Sequence, residues 1–210
     1  MFNLLTNQRQ TAAAIAAGGY HSLAMTGDDG RVFAVGWSMY GQLGDWSQEA
    51  DGRTYYKSVF FGAKAVAAGT RHSMVLADDG SVWTTGYNMH GELGDGSAID
   101  KASFLRVITY GAKAIAAGGY HSMVINKDGS ILATGSNEFG QIGDGSTNSR
   151  NTFVRVAETI NGVLRHAVPI IPVDTSTTAR ASTIDSEVTG QLRGAYPLHG
   201  NVLIRLICCL

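Results

Sequence analysis

The sequence predicts an all-β fold, a partial and open β-propeller of three four-stranded antiparallel blades with a C-terminal stretch outside the repeat. Self-similarity is the first ground. AIAAGGYHSLAMTGDDGRVFAVGWSMYGQLGD (14–45), AVAAGTRHSMVLADDGSVWTTGYNMHGELGD (65–95) and AIAAGGYHSMVINKDGSILATGSNEFGQIGD (114–144) align with one inserted residue. The connection repeats as well, GAKAVAAG at 62–69 returning as GAKAIAAG at 111–118. Strand chemistry is the second ground: the apolar runs are short, rich in β-branched and aromatic residues, and end at glycine, without helical periodicity.

Each unit opens on a strand of small residues, such as Ala65 to Gly69, suited to a place where backbones crowd together. A hairpin follows, His72 to Leu76 and Ser81 to Thr85, joined by Asp79-Gly80, whose glycine supplies the positive φ of a tight turn. Gly30 and Gly129 hold the same place in the other units. Tyr56 to Phe61, Phe104 to Thr109 and Thr152 to Ala157 supply a fourth strand to each. The GxLGD turns, built on Gly44, Gly94 and Gly143, fit between strands three and four. The repeat domain is therefore 1–157, with blades at about 12–62, 63–111 and 112–157. Residues 158–210 contain no AAGxxHS, DG hairpin or GxLGD, and two readings stay open for them. They are a genuine extension, with TSTTARASTIDSE as a polar linker, or they are read out of frame from about Gly162 onward.

Composition narrows the function. With 44% apolar and 16% charged residues in 210, the chain has ample material for a core. A formal charge of −1 removes any global reason to bind nucleic acid or an anionic membrane. Cys208 and Cys209 are adjacent, a spacing unsuited to a disulfide framework or a zinc site. Ile207 stands where a prenylated C-terminus needs its cysteine. The N-terminus lacks a basic, then apolar, leader, and no apolar run approaches membrane-spanning length, so a cytoplasmic or nuclear location is expected.

No catalytic residue, metal ligand or cofactor site is expected. His21, His72 and His121, each followed by serine, fall once per blade and point the same way, so they read as structural hydrogen-bonding residues. Asp45, Asp95 and Asp144 end the GxLGD turns, where a carboxylate caps backbone N–H groups. No phosphate loop, HExxH helix or GxSxG elbow is present. What varies inside the fixed GxxxxG turn is free to specialise. Those slots hold Trp37 and Tyr40, then Tyr87 and His90, then Ser136, Glu138 and Phe139. Aromatic side chains on rigidly held loops are good anchors for a partner protein, and Trp37, Tyr40, Tyr87, His90, Glu138 and Phe139 form the expected partner-binding set. Packing of Trp37 and Tyr87 between blades is the competing reading.

The order AAGxxHS, DGxVxxxG, GQLGDGS resembles the repeats of the regulator of chromosome condensation family, over residues 12–157, whereas spacing alone would leave kelch blades in contention. Familiar members of that family form closed seven-bladed rings, so three units imply open ends and self-association through them. The resemblance implies a non-catalytic protein-interaction scaffold. It also implies two alternatives: a regulatory propeller, acting as an exchange factor for a Ran-like small GTPase or as the recognition part of a ubiquitin ligase, and a secreted inhibitor or recognition propeller. No exchange-factor wedge and no basic chromatin tail matches residue by residue.

Overall fold

Alternating small and branched residues bounded by glycine form strands throughout the computed structural model, which describes residues 11–48, 53–160 and 163–166. The expected polar linker, and the short apolar end NVLIRLICCL read as part of the same extension, with Cys208 and Cys209, lie outside the described residues. The first sheet runs in sequence order through β1 (Ala12–Ala17), β2 (His21–Thr26), β3 (Val32–Gly36) and β4 (Arg53–Phe60). The second repeats it with β5 (Ala63–Ala68), β6 (His72–Ala77), β7 (Val82–Gly86) and β8 (Lys101–Ile108). The third does so with β9 (Ala112–Ala117), β10 (His121–Asn126), β11 (Ile131–Gly135) and β12 (Arg150–Ile160). All pairings within these sheets are antiparallel, and no helix occurs among the described residues. The predicted open propeller of three four-stranded blades is the fold observed.

Two boundaries differ from the sequence reading. The fourth strands begin three or two residues early, at Arg53, Lys101 and Arg150, because bulges in the β3–β4 type ladders carry these polar residues into register with Gly36, Gly86 and Gly135. In the third sheet, β12 continues past 157 to Ile160 and turns back into β13 (Val163–His166), a fifth strand paired from Ala157↔His166 to Ile160↔Val163. That strand falls within the stretch outside the repeat, where no motif marks it.

Apolar faces of neighbouring sheets meet. Leu23, Met25, Val32, Ala34 and Leu43 of the first blade close on Val75 and Ala63 of the second, with Trp83 and Phe104 against them. Met74, Leu76 and Val82 of the second close on Val124 and Ala112 of the third, with Leu132 and Phe153. Fully burying a leucine- or valine-sized side chain stabilises by roughly 1.5–3 kcal/mol, so most of the core energy resides between blades. The small-residue strands β1, β5 and β9 start each blade, and the crowding expected of them is present. A Cβ on Gly69 would lie 2.6 Å from the carbonyl oxygen of Gly118 on the next blade.

Candidate functional site

Register brings the variable residues to one end of the blades. His21 pairs with Gly36, so the residue before β2 and the residue after β3 are neighbours, and the Trp37 N–H donates to the Tyr20 carbonyl at 2.9 Å. The same bond joins Tyr87 to the Arg71 carbonyl at 2.9 Å and Ser136 to the Tyr120 carbonyl at 2.8 Å. Each blade thus offers a pair of adjacent slots, one before the invariant histidine and one opening the GxxxxG turn.

Across the first two blades and into the third these slots form a continuous aromatic strip. Tyr20 contacts Trp37 with ring centroids 5.3 Å apart, Trp37 contacts Tyr40 edge-on at 5.4 Å, and Tyr40 crosses the junction to Tyr87 at 4.9 Å. Tyr87 reaches His90 at 6.0 Å and Tyr120 of the third blade at 6.2 Å, and His90 meets Tyr120 at 5.6 Å. These are the separations at which tilted and edge-to-face pairs attract. Arg71 lies at the centre. Its guanidinium carbon is 5.2–5.9 Å from the ring centroids of Tyr40, Tyr20, Trp37 and Tyr87, within the range of a cation–π contact with each. Its Nε is buried and has no hydrogen-bond partner among the described residues.

Of the six residues expected to bind a partner, Trp37, Tyr40, Tyr87 and His90 are brought together here. Trp37 and Tyr87 are half-buried, and Tyr87 joins rings of both neighbouring blades, so packing and presentation coexist in one side chain. Glu138 and Phe139 do not join the strip. Phe139 is 91% exposed and makes no ring contact among the described residues. Sequence reasoning missed Tyr20, Arg71 and Tyr120. The signal was available, since AAGxxHS varies only at its two central positions, the second of which reads Tyr, Arg and Tyr.

The repeated polar residues build the frame beneath. His21 Nε2 and Ser73 Oγ are 2.8 Å apart, and His72 Nε2 and Ser122 Oγ 3.0 Å, so each pair spans a blade junction. Burial lowers the His21 pKa to about 4 and the His72 pKa to about 3, the latter helped by its two fellow histidines, so both are neutral near pH 7. The Ser47, Ser97 and Ser146 N–H groups donate to Asp45, Asp95 and Asp144. Lys57, Lys101 and Arg150 pair with the same three carboxylates. Gly30, Gly80 and Gly129 take φ of 58°, 82° and 82° in the hairpin turns, while Gly44, Gly94 and Gly143 take 71°, 72° and 79°, values natural to glycine. Among the described residues no three His, Cys, Asp or Glu side chains converge as a metal site.

One side chain departs from the repeat. Gln42 Oε1 accepts from the Tyr40 N–H at 3.1 Å and Gln141 Oε1 from the Phe139 N–H at 2.9 Å. In the second blade the slot holds Glu92, fully buried, whose Oε2 accepts from the His90 N–H at 3.0 Å while Oε1 has no partner among the described residues. Burial raises its pKa from 4.5 to about 7.

Repeated four-stranded antiparallel sheets packed face to face, with loops of one end brought together, define a blade-repeat propeller. The chain belongs to the family of the regulator of chromosome condensation (RCC1) repeat, whose models match residues 12–42, 63–92 and 112–141, and again 79–125. Among solved structures it is similar to Prp20p from Saccharomyces cerevisiae, at 24% identity and a TM-score of 0.64 over 70% of this chain and 39% of that one. It is similar also to human WBSCR16, at 26% identity and a TM-score of 0.63 over 73% of this chain and 41% of that one. The chain therefore spans about two fifths of the length of these relatives. Comparison with the curated proteins gives no match. No helix among the described residues is long and apolar enough to cross a membrane.

Proposed function

We propose that the chain is a non-catalytic protein-interaction scaffold and that the aromatic strip around Arg71 is where its partner binds. The observation that carries this reading is a single arginine held against four aromatic rings contributed by two blades. Arginine and large aromatics dominate binding energy at interfaces because they present wide, stiff contact area. Tyr20 and Tyr120, 52% and 37% exposed, extend that area to solvent at either end. Met39 and Met89, 47% and 67% exposed in the same turns, add adaptable apolar contact.

The test is affinity capture with the full chain immobilised, comparing wild type with Tyr20→Ala, Arg71→Ala and, at the opposite end of the blades, Lys64→Ala. Proteins retained by wild type and by Lys64→Ala but lost on both other variants support the reading. Retention unaffected by Tyr20→Ala and Arg71→Ala overturns it. Regulation of a Ran-like small GTPase is the finer role that the family suggests, and Prp20p is described for its binding properties to Gsp1p and histones. Faster nucleotide release from such a GTPase, abolished by Arg71→Ala, would make the scaffold a regulator.

A further inference from the structure

Both blade junctions are made from the same contacts. Besides pairing with the preceding histidine, Ser73 Oγ donates to the Gln42 carbonyl at 2.6 Å and Ser122 Oγ to the Glu92 carbonyl at 2.7 Å. Thr85 and Thr134 hydroxyls donate across the same junctions to the Gly41 and Gly91 carbonyls at 2.9 and 2.8 Å. An aromatic knob completes each: the Phe104 ring lies against Gly44 and the Phe153 ring against Gly94, so close that a Cβ on either glycine would overlap it.

The outer face of the first blade and the outer face of the third each repeat one half of that set. The third blade carries the socket half, consisting of His121, the Gly140 and Gln141 carbonyls, and Gly143, around whose absent Cβ nothing lies within 4 Å among the described residues. On the same face Ile125 is 41% exposed, whereas Leu76 and Met25, its counterparts in closed junctions, are 1% and 7% exposed. The first blade carries the knob half. Ser22 and Phe33 stand where Ser73 and Trp83 stand in the second blade, as their pairing with β3 or β2 shows. Tyr56 lies four residues before Phe60, the partner of Val32, as Phe104 lies four before Ile108, the partner of Val82. Tyr56 is 53% exposed. One position departs: Val35 replaces the threonine that donates at both existing junctions.

We propose that this chain associates head to tail with a second copy of itself, the first blade of one copy seating Ser22, Phe33 and Tyr56 on His121, Ile125 and Gly143 of the other. The occupant follows from complementarity, because the missing half of each end is carried by the opposite end of the same chain. Pairing like ends would set knob on knob or His121 on His121, so the contact is heterologous. Among the described residues, the space beside Gly143 that Phe104 and Phe153 fill at Gly44 and Gly94 is open.

Sedimentation velocity of the full chain over a concentration series tests this, with Tyr56→Glu disabling the knob end and Ile125→Glu the socket end. Wild type is expected to form assemblies larger than one 22.2 kDa chain as concentration rises. Each variant alone should sediment as a single chain, and an equal mixture should recover a dimer, since each retains the end the other lacks. Val35→Thr should tighten association about fivefold, the worth of one added hydrogen bond of about 1 kcal/mol. Wild type sedimenting as one chain at every concentration overturns the proposal, as when another segment or protein covers these faces. Association persisting in either single variant, or failing in their mixture, overturns it too. Should a variant prove unfolded by circular dichroism, Val35→Thr decides, and unchanged or weakened association counts against the proposal.

Discussion

Replacing Glu92 by Gln converts the one acidic member of a glutamine slot into the residue found at Gln42 and Gln141. The amide oxygen can accept from the His90 N–H as Oε2 does now, so the geometry needs no rearrangement. What changes is protonation. Burial raises the Glu92 pKa from 4.5 to about 7, with a smaller push from Asp100, so between these values the folded state holds a proton that the unfolded chain has released. Stability therefore falls as pH rises through this window and levels off above it. At 1.36 kcal/mol per unit, a shift from 4.5 to about 7 corresponds to about 3 kcal/mol of destabilisation once the carboxyl is ionised. The Glu92→Gln chain should match wild type near pH 4.5 and exceed it at pH 8 by about 2–3 kcal/mol, or roughly 5–10 °C in Tm. Thermal melts of both chains at half-unit steps from pH 4.5 to 8 measure this. Taking the difference between the two curves cancels every other titrating group. A difference that stays constant across the range, or a variant less stable at pH 8, would refute the argument from burial.

His21 and His72 act in the opposite sense, because burial lowers both pKa values, and their contribution is full above the unfolded value near 6.5 and lost as pH falls. In the Glu92→Gln background, denaturant unfolding should show stability declining below pH 6.5 by about 1 kcal/mol per pH unit for each histidine. Arg71→Ala should cost about 1–2 kcal/mol by chemical denaturation through the lost cation–π contacts, whereas Phe139→Ala, at a side chain 91% exposed, should stay within about 0.5 kcal/mol. Gly94→Ala should destabilise by about 2–4 kcal/mol in the same assay, since its φ of 72° is strained for alanine and the Cβ overlaps Phe153. Gly96→Ala, with a similar φ of 83° but only ordinary contact at 3.7 Å, should cost about 1 kcal/mol.

The blades were legible because their determinants are local and occur three times. Asp79-Gly80 specifies its own hairpin, and Ala65 to Gly69 can only be a crowded inner strand, whatever lies beside them. Fourth-strand starts were not legible, because Arg53, Lys101 and Arg150 enter the ladder through bulges that their polarity conceals. The strand β13 has no counterpart in the other blades and so no repeat to expose it. At the candidate site, Trp37, Tyr40, Tyr87 and His90 could be picked out as variation within a fixed turn. Their convergence on Arg71 could not, since it depends on the angle between blades and on a slot from a different turn. Glu138 and Phe139 satisfy the same sequence criterion yet stand apart, because the third blade has Ser136 where the others have an aromatic bridge to the strip.

The bond from histidine to the next blade's serine has a bearing on how such a chain can change over generations. Every unit carries both the residue that reaches forward and the residue that is reached, in one His-Ser dipeptide. Copying a segment from one Gly62-type linker to the next therefore supplies a blade whose two faces already suit its neighbours, with no compensating substitution. Loss of half a unit would instead strand a histidine and a serine on opposite sides of a gap. Blade number is thus free to drift by whole units, while the interior of each unit is held fast.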